Sequence, residues 1–168
     1  MADYPRFPMF VDLSEKRVVV VGAGVIAARR ATVLAQFTPF VTVIAPEVHP
    51  DLEALALTGR ARLVRRAYEE ADLHGADVVL AATDDAGLNA AICRACGRRG
   101  IPVNASSDRA LCDFYFPGIV REGNVVVGVT ASGEDHARAR RVTRQIRDAL
   151  QSDDPGASSR REAGGRPT

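Results

Sequence analysis

The chain has 168 residues, 46% of them hydrophobic, and a formal net charge of +1, so it can bury one sizeable core but is too short for two independent enzymatic domains. The near balance of acids and bases removes the global basic field of a nucleic-acid binder, and no window reaches the roughly eighteen apolar residues of a membrane span. Three cysteines are too few for a disulfide framework and there is no signal-like start, so the expectation is a cytoplasmic protein with neither a nucleic-acid nor a membrane partner.

Arg17 to Val21 is a short β-branched run that stops at Gly22, and a helical pattern takes over from Val25 to Phe37. Phe40 to Ala45 is a second apolar run, closed by Pro46, and Asp77 to Ala82 is a third. Their near-continuous apolar content, rather than alternation, is that of strands buried on both faces of a parallel sheet. His49–Leu57 and Ala86–Arg99 are helix-compatible, with Leu63–Arg65 and Ile101–Val103 as short extra strands. Alternation of this kind predicts a doubly wound α/β sheet. After Asp113 the texture changes: Phe114–Val120 and Asn124–Thr130 are β-type runs around Arg121-Glu122-Gly123, which predicts a hairpin. A charged helix follows from Glu134 to Leu150, and residues 151–168, rich in Gly, Ser, Pro and Arg, have almost nothing to bury and are expected to be disordered. The expected organisation is a nucleotide-binding domain at 1–113, an arm at 114–150 and a tail at 151–168.

The strongest local motif is Gly22-Ala23-Gly24-Val25-Ile26-Ala27, a G-x-G-x-x-A between a predicted strand and a predicted helix. Gly22 permits the tight turn, Gly24 lets a pyrophosphate approach the backbone, Ala27 keeps the helix near the sheet, and the helix N-terminus offers unpaired N–H groups to phosphate. The chain is therefore expected to carry a Rossmann-like site for NAD. The acid that holds an adenosine ribose should end the second strand, about twenty residues on. That end reads Ile44-Ala45-Pro46-Glu47, so the role falls to Glu47 or to no residue, Glu47 then being a solvated loop carboxylate. No arginine follows directly, which favours NAD over NADP. Thr83, Asp84 and Asp85 close the third apolar run at the rim where such sheets bind ligands, and the same residues are natural caps for the next helix. Cys93 and Cys96 sit in a helical pattern without a second pair at metal spacing and are assigned to packing, so no metal site is expected. His49 and His74 fall in polar loop contexts and are expected to face solvent.

From Tyr4 to Leu150 the order of residues resembles the precorrin-2 dehydrogenase and sirohydrochlorin ferrochelatase family, which includes the dehydrogenase domain of siroheme synthases. The resemblance rests on Pro8-Met9-Phe10-Val11-Asp12-Leu13, Val18–Ala27, Val41–Glu47 and Ala81–Asp85, and most specifically on Val103-Asn104 with Leu111-Cys112-Asp113-Phe114-Tyr115-Phe116-Pro117-Gly118-Ile119-Val120. It implies NAD-dependent oxidation of precorrin-2, a tetrapyrrole carboxylate, in siroheme biosynthesis. It further implies a homodimer paired through the segment after Asp113, and an NAD site of Gly22, Gly24, Val25, Ile26, Pro46 and Glu47. Thr83 and Asp84 border that site. Some members also insert ferrous iron.

Two departures bear on the chemistry. The family commonly reads Asn-x-x-Asp before the Cys-Asp-Phe block, and Ser107 stands here at the place of that catalytic aspartate, with Asp108 next to it. A serine hydroxyl is a poor proton acceptor where a carboxylate is an effective one, so Asp108 and Ser107 are the catalytic candidates and iron insertion is expected to be weak or absent. After Ser132-Gly133 the chain reads Glu134-Asp135-His136, where relatives start the helix with Ser-Pro. These residues either complement the helix dipole or bring His136 to the substrate. Asn104, Arg109 and His136 are the substrate-binding candidates, and Arg29, Arg30, Arg138, Arg140 and Arg141 offer further forks for carboxylates. The reading from another class is a non-catalytic protein of the same fold that binds NAD or a tetrapyrrole.

Overall fold

A computed structural model describes residues 7–132 and 134–152. They divide into two compact units, Met9–Phe116 and a second that runs on from Pro117 and also takes Pro8 and Phe7. The larger unit carries strands β1 (Val18–Val21), β2 (Val41–Ile44), β3 (Arg62–Val64), β4 (Val78–Ala81) and β5 (Val103–Ala105), with helices α1 (Val25–Leu34), α2 (Pro50–Leu57) and α3 (Ala86–Arg99). All pairings are parallel, in the order β3-β2-β1-β4-β5.

The four valines of β1 are at most 1% exposed, as a central strand covered on both faces requires. Val18 and Val20 face Ala27, Ala28, Ala31, Leu52 and Leu55 of α1 and α2. Val19 and Val21 face Leu73, Ile92, Cys93 and Cys96, so the two cysteines are packing residues as the sequence predicts. Small residues along α1 let the helix lie close to the sheet.

Several boundaries move for local reasons. α1 ends at Leu34 rather than Phe37: Pro39 disfavours helix before it, and Thr38 is spent on a turn, donating to Lys16 O at 2.9 Å and accepting from Phe40 N at 3.0 Å. β5 lies at Val103–Ala105 and not Ile101–Val103, because Pro102 has no N–H for the ladder and offers only its carbonyl, to Val79 N at 3.0 Å. Buried Asn104 in mid-strand is what hides it from the apolar pattern.

The second unit holds a two-stranded antiparallel hairpin, β6 (Gly118–Glu122) and β7 (Val125–Val129), and helix α4 (His136–Ser152). Glu122 pairs with Val125, so the turn is Gly123-Asn124 and not the predicted Arg121–Gly123, with Gly123 supplying a φ of 55° that most residues avoid. The first β run begins four residues late, after Pro117, while Phe114 and Phe116 pack into the core of the larger unit. Helix α4 starts at His136 because Asp135 serves as its cap, accepting from Arg138 N at 2.7 Å. Gln151 and Ser152 of the predicted tail belong to α4, and the rest of that tail lies outside the described residues.

Candidate functional site

The register aligns Val21 with Ile44 and with Ala81, and Ala81 with Ala105, so four strands end level at their carboxyl edge. The ladder continues one step further through Gly22 N to Ile44 O (2.9 Å), Ala82 N to Val21 O (2.8 Å) and Ser106 N to Ala81 O (2.9 Å). Beyond it the chain turns out in loops at 22–24, 45–49, 82–85 and 106–108. From β1 the chain crosses to β2 and from β4 to β5, in opposite directions, so a crevice opens between them, the place where open α/β sheets bind ligands.

The two glycines of the motif do different work. Gly22 has φ 99°, and any side chain on it would run into the Ala82 carbonyl and sit 2.8 Å from Thr83 N, so it lets the loops after β1 and β4 approach. A side chain on Gly24 would meet nothing within 4 Å. Gly24 also caps α1 with no side-chain hydrogen bond, which leaves first-turn N–H groups to an outside acceptor. Val25 is 70% and Ile26 46% exposed on that turn. An open backbone cradle, free helix amides and an apolar lip fit a dinucleotide pyrophosphate.

Pro46 and Glu47 are exposed on the adjoining loop, which is tied to the glycine turn by His49 N donating to Ala23 O at 3.0 Å. His49 does not simply face solvent: its Nδ1 caps α2, accepting from Asp51 N at 3.2 Å. Across the crevice, Asp85 caps α3 through Leu88 N at 3.0 Å. Thr83 is held by Asn89, a fully buried side chain that the sequence reading passed over. Asn89 Oδ1 accepts from Thr83 N (3.1 Å) and Thr83 Oγ1 (2.8 Å), and its Nδ2 donates to Thr83 O (3.0 Å) and Ser107 Oγ (3.3 Å). One amide therefore joins the loops after β4 and β5. An asparagine at a buried helical position was the available signal.

Ser107 and Asp108 are both exposed on the β5 loop beside this amide. Asp108 Oδ1 accepts from Ala110 N at 2.8 Å and so caps a short turn, Arg109–Leu111, in which Arg109 is exposed. Asn104 is only 3% exposed, and both its amide oxygen and its amide nitrogen are bonded within the protein. Its Oδ1 accepts from Arg30 Nη1 at 2.7 Å, and its Nδ2 donates to Phe114 O at 2.7 Å. The Arg30 guanidinium lies 5.3 Å over the Phe116 ring. Asn104 thus acts through Arg30. His136 opens α4 in the other unit and is exposed there.

The Cys112-Asp113 block is structural. Asp113 exchanges two bonds with Val103, N to O and Val103 N to Oδ2, both at 2.9 Å, and Cys112 Sγ accepts from Ala105 N and donates to Ala105 O, both at 3.2 Å. Side chains here do the work of a sixth strand. Burial pushes the Cys112 thiol above its usual pKa, which favours the protonated, donating form.

Among the described residues no three His, Cys, Asp or Glu side chains gather in a way that could hold a metal ion. A hollow of about 640 Å³ bordered by Leu73, His74, Arg99 and Ile101 lies at the opposite, amino edge of the sheet, away from these groups.

Sheet order, glycine cradle and carboxyl-edge loops define a dinucleotide-binding protein of the doubly wound class. A family described as putative NAD(P)-binding matches residues 9–118. The chain is 38% identical over 139 residues to the siroheme synthase of Pseudomonas paraeruginosa, 40% to that of Pseudomonas entomophila and 39% to that of Methylobacillus flagellatus. Each match covers 83% of this chain but only 30% of the relative's length. The chain therefore belongs to the putative NAD(P)-binding family of the siroheme synthases. Among solved structures it is similar to "SirC, precorrin-2 dehydrogenase", with a TM-score of 0.73, 22% identity and coverage of 86% of this chain and 70% of that one. That likeness bears out the Rossmann-like fold with its hairpin.

Proposed function

We propose that this chain oxidises precorrin-2 to sirohydrochlorin with NAD as the acceptor, as a cytoplasmic homodimer in siroheme biosynthesis. The observation that carries the reading is the level carboxyl edge, from which the open Gly24 cradle after β1 and the Ser107–Asp108 loop after β5 both rise, one on each side of β4. NAD, when bound, supplies the hydride acceptor. Gly24 and the first-turn amides of α1 would hold its pyrophosphate, with Val25 and Ile26 of the same turn as the apolar lip. Pro46 and Glu47 follow β2 and would serve the adenosine half, and Thr83 and Asp84 follow β4 and would serve the nicotinamide half. Asn89 fixes Thr83 and Ser107 together, so cofactor and substrate loops keep one geometry.

Oxidation also releases a proton. Asp108 has one carboxylate oxygen engaged in its cap, which leaves the other for that proton or for the macrocycle nitrogens. Arg109 is the substrate-binding side chain of the larger unit in this reading, and Asn104 contributes indirectly. With Ser107 in place of an aspartate, insertion of ferrous iron is slow or absent. The dimer is supported by the open edges of the hairpin: among the described residues β6 and β7 pair only with each other, so each leaves an edge that a second copy can pair with.

The test is NADH absorbance while the protein is mixed anaerobically with fresh precorrin-2 and NAD, followed by ferrous iron. NADH formation supports the dehydrogenase, and siroheme formation above the spontaneous rate adds chelation. A flat trace with an active control enzyme, while NAD still binds, favours a non-catalytic binding protein. That second reading draws on Ser107 and on the cap that occupies Asp108.

A further inference from the structure

Most arginines among the described residues are exposed, but Arg30, in the larger unit, is partly buried. One Nη donates to Asn104 Oδ1 at 2.7 Å and the guanidinium lies 5.3 Å over Phe116, while Phe114 O fixes which way the Asn104 amide points. Burial first, and then the neighbouring Arg29 charge, pull the guanidinium below its usual pKa. Ion pairs in the described residues go to Lys16, His49, Arg65, Arg66, Arg98 and Arg99, and none reaches Arg30. A partly desolvated cation, held by a neutral amide and an aromatic face, is costly unless an anion completes it. Among the described residues its fork of five N–H donors gives one N–H to Asn104 Oδ1.

We infer that Arg30, held by Asn104 and Phe116, is the specificity residue that takes a carboxylate of the tetrapyrrole on the nicotinamide side of the crevice. The assignment rests on the substrate proposed above and singles out one arginine. Its place in the fold chooses the anion. Arg30 stands six residues beyond Gly24, about 9 Å along α1 from the phosphate cradle at 1.5 Å per residue. It is fastened to β5, on the far side of β4 from β1, whereas the adenosine half of a dinucleotide extends toward β2. A planar fork suits a carboxylate, and a substrate that carries several of them must present one near the nicotinamide when its macrocycle lies against that ring.

The test uses the full chain with two titrations, one with NAD and one with uroporphyrin, a stable tetrapyrrole with eight carboxylates. Arg30→Met is expected to weaken uroporphyrin binding about tenfold or more, and Arg30→Lys by less, with NAD affinity as in the parent for both. With precorrin-2, KM should rise in the same order. The retained NAD affinity shows that the variants fold, and Arg30→Lys keeps the charge should Arg30→Met lose its structure. Unchanged uroporphyrin affinity in both variants overturns the assignment and leaves the function standing. Parallel loss of NAD and uroporphyrin affinity in both variants overturns it by placing the guanidinium on the dinucleotide. If the parent chain binds NAD but no uroporphyrin, the substrate reading fails and this inference with it.

Discussion

At Gly22 and Gly24 one residue type serves opposite purposes, and alanine substitution separates them. Gly22→Ala forces a side chain at φ 99° against the Ala82 carbonyl and should destabilise the fold by about 2 kcal/mol or more, measured by denaturant unfolding. Gly24→Ala meets open space and should leave stability within about 0.5 kcal/mol, while NAD binding weakens because the added methyl group enters the cradle. Asn89→Ala should cost about 2–3 kcal/mol, since Thr83 N and Oγ1 lose their acceptor, and should also raise the KM for NAD as the 82–85 loop loosens. The glycine pair was legible in the sequence because the turn is local, a strand run directly into a helix. The fastenings of Asn89 to Ser107 and of Arg30 to Asn104 were not, because they join residues 18 and 74 positions apart. Asn89 drew no reading, and Ser107, Asn104 and Arg30 were read as site residues and not as fastenings.

Among the elements, those with continuous apolar runs were readable to within a residue or two: β1, β2, β4 and α3, the last with both ends as predicted. Where side chains replace backbone pairing, periodicity has nothing to register. β5 carries Asn104, and its outer edge is closed by Cys112 and Asp113 through a thiol and a carboxylate. That block is the most specific part of the family resemblance, and the structure gives Asp113 an architectural role. Asp113→Ala removes the acceptor of Val103 N and should destabilise the protein by about 1–3 kcal/mol. Asp113→Asn keeps an acceptor and should recover much of that loss in the same unfolding assay.

For the molecule as a whole, acid sensitivity follows from its carboxylates. The Asp77 carboxyl lies below its ordinary value of 3.8, chiefly through the Arg17 N–H and then Lys16, and it ties the start of β1 to the start of β4. Asp72 is lowered too, first by its bond to Arg66. A carboxylate depressed in the folded state adds stability that is present above its unfolded value and is lost as pH falls through the folded one. Stability should therefore decline below about pH 4, and Asp77→Asn should flatten that decline while lowering stability at neutral pH, as followed by circular dichroism. Sedimentation should find a dimer at micromolar concentration, and charges introduced at Val125 and Val127 of β7 should dissociate it while NAD binding persists.

The clamp at Cys112 also gives the chain a built-in clock. The thiol is occupied by the β5 backbone and its pKa is raised by burial, so alkylation should be slow until the 112–114 segment lifts away from the sheet. Its labelling rate then measures the opening of one strand edge. Cys96, with no exposure, and Cys93, 7% exposed, lie in the packed face beneath α3 and would label on the slower timescale of global unfolding. A ligand seated at the carboxyl edge presses on Ala105 and its neighbours, so it should slow the fast thiol and, through stabilisation alone, the slow pair by a different factor. Two rates from one unlabelled chain would separate local tightening from overall stability.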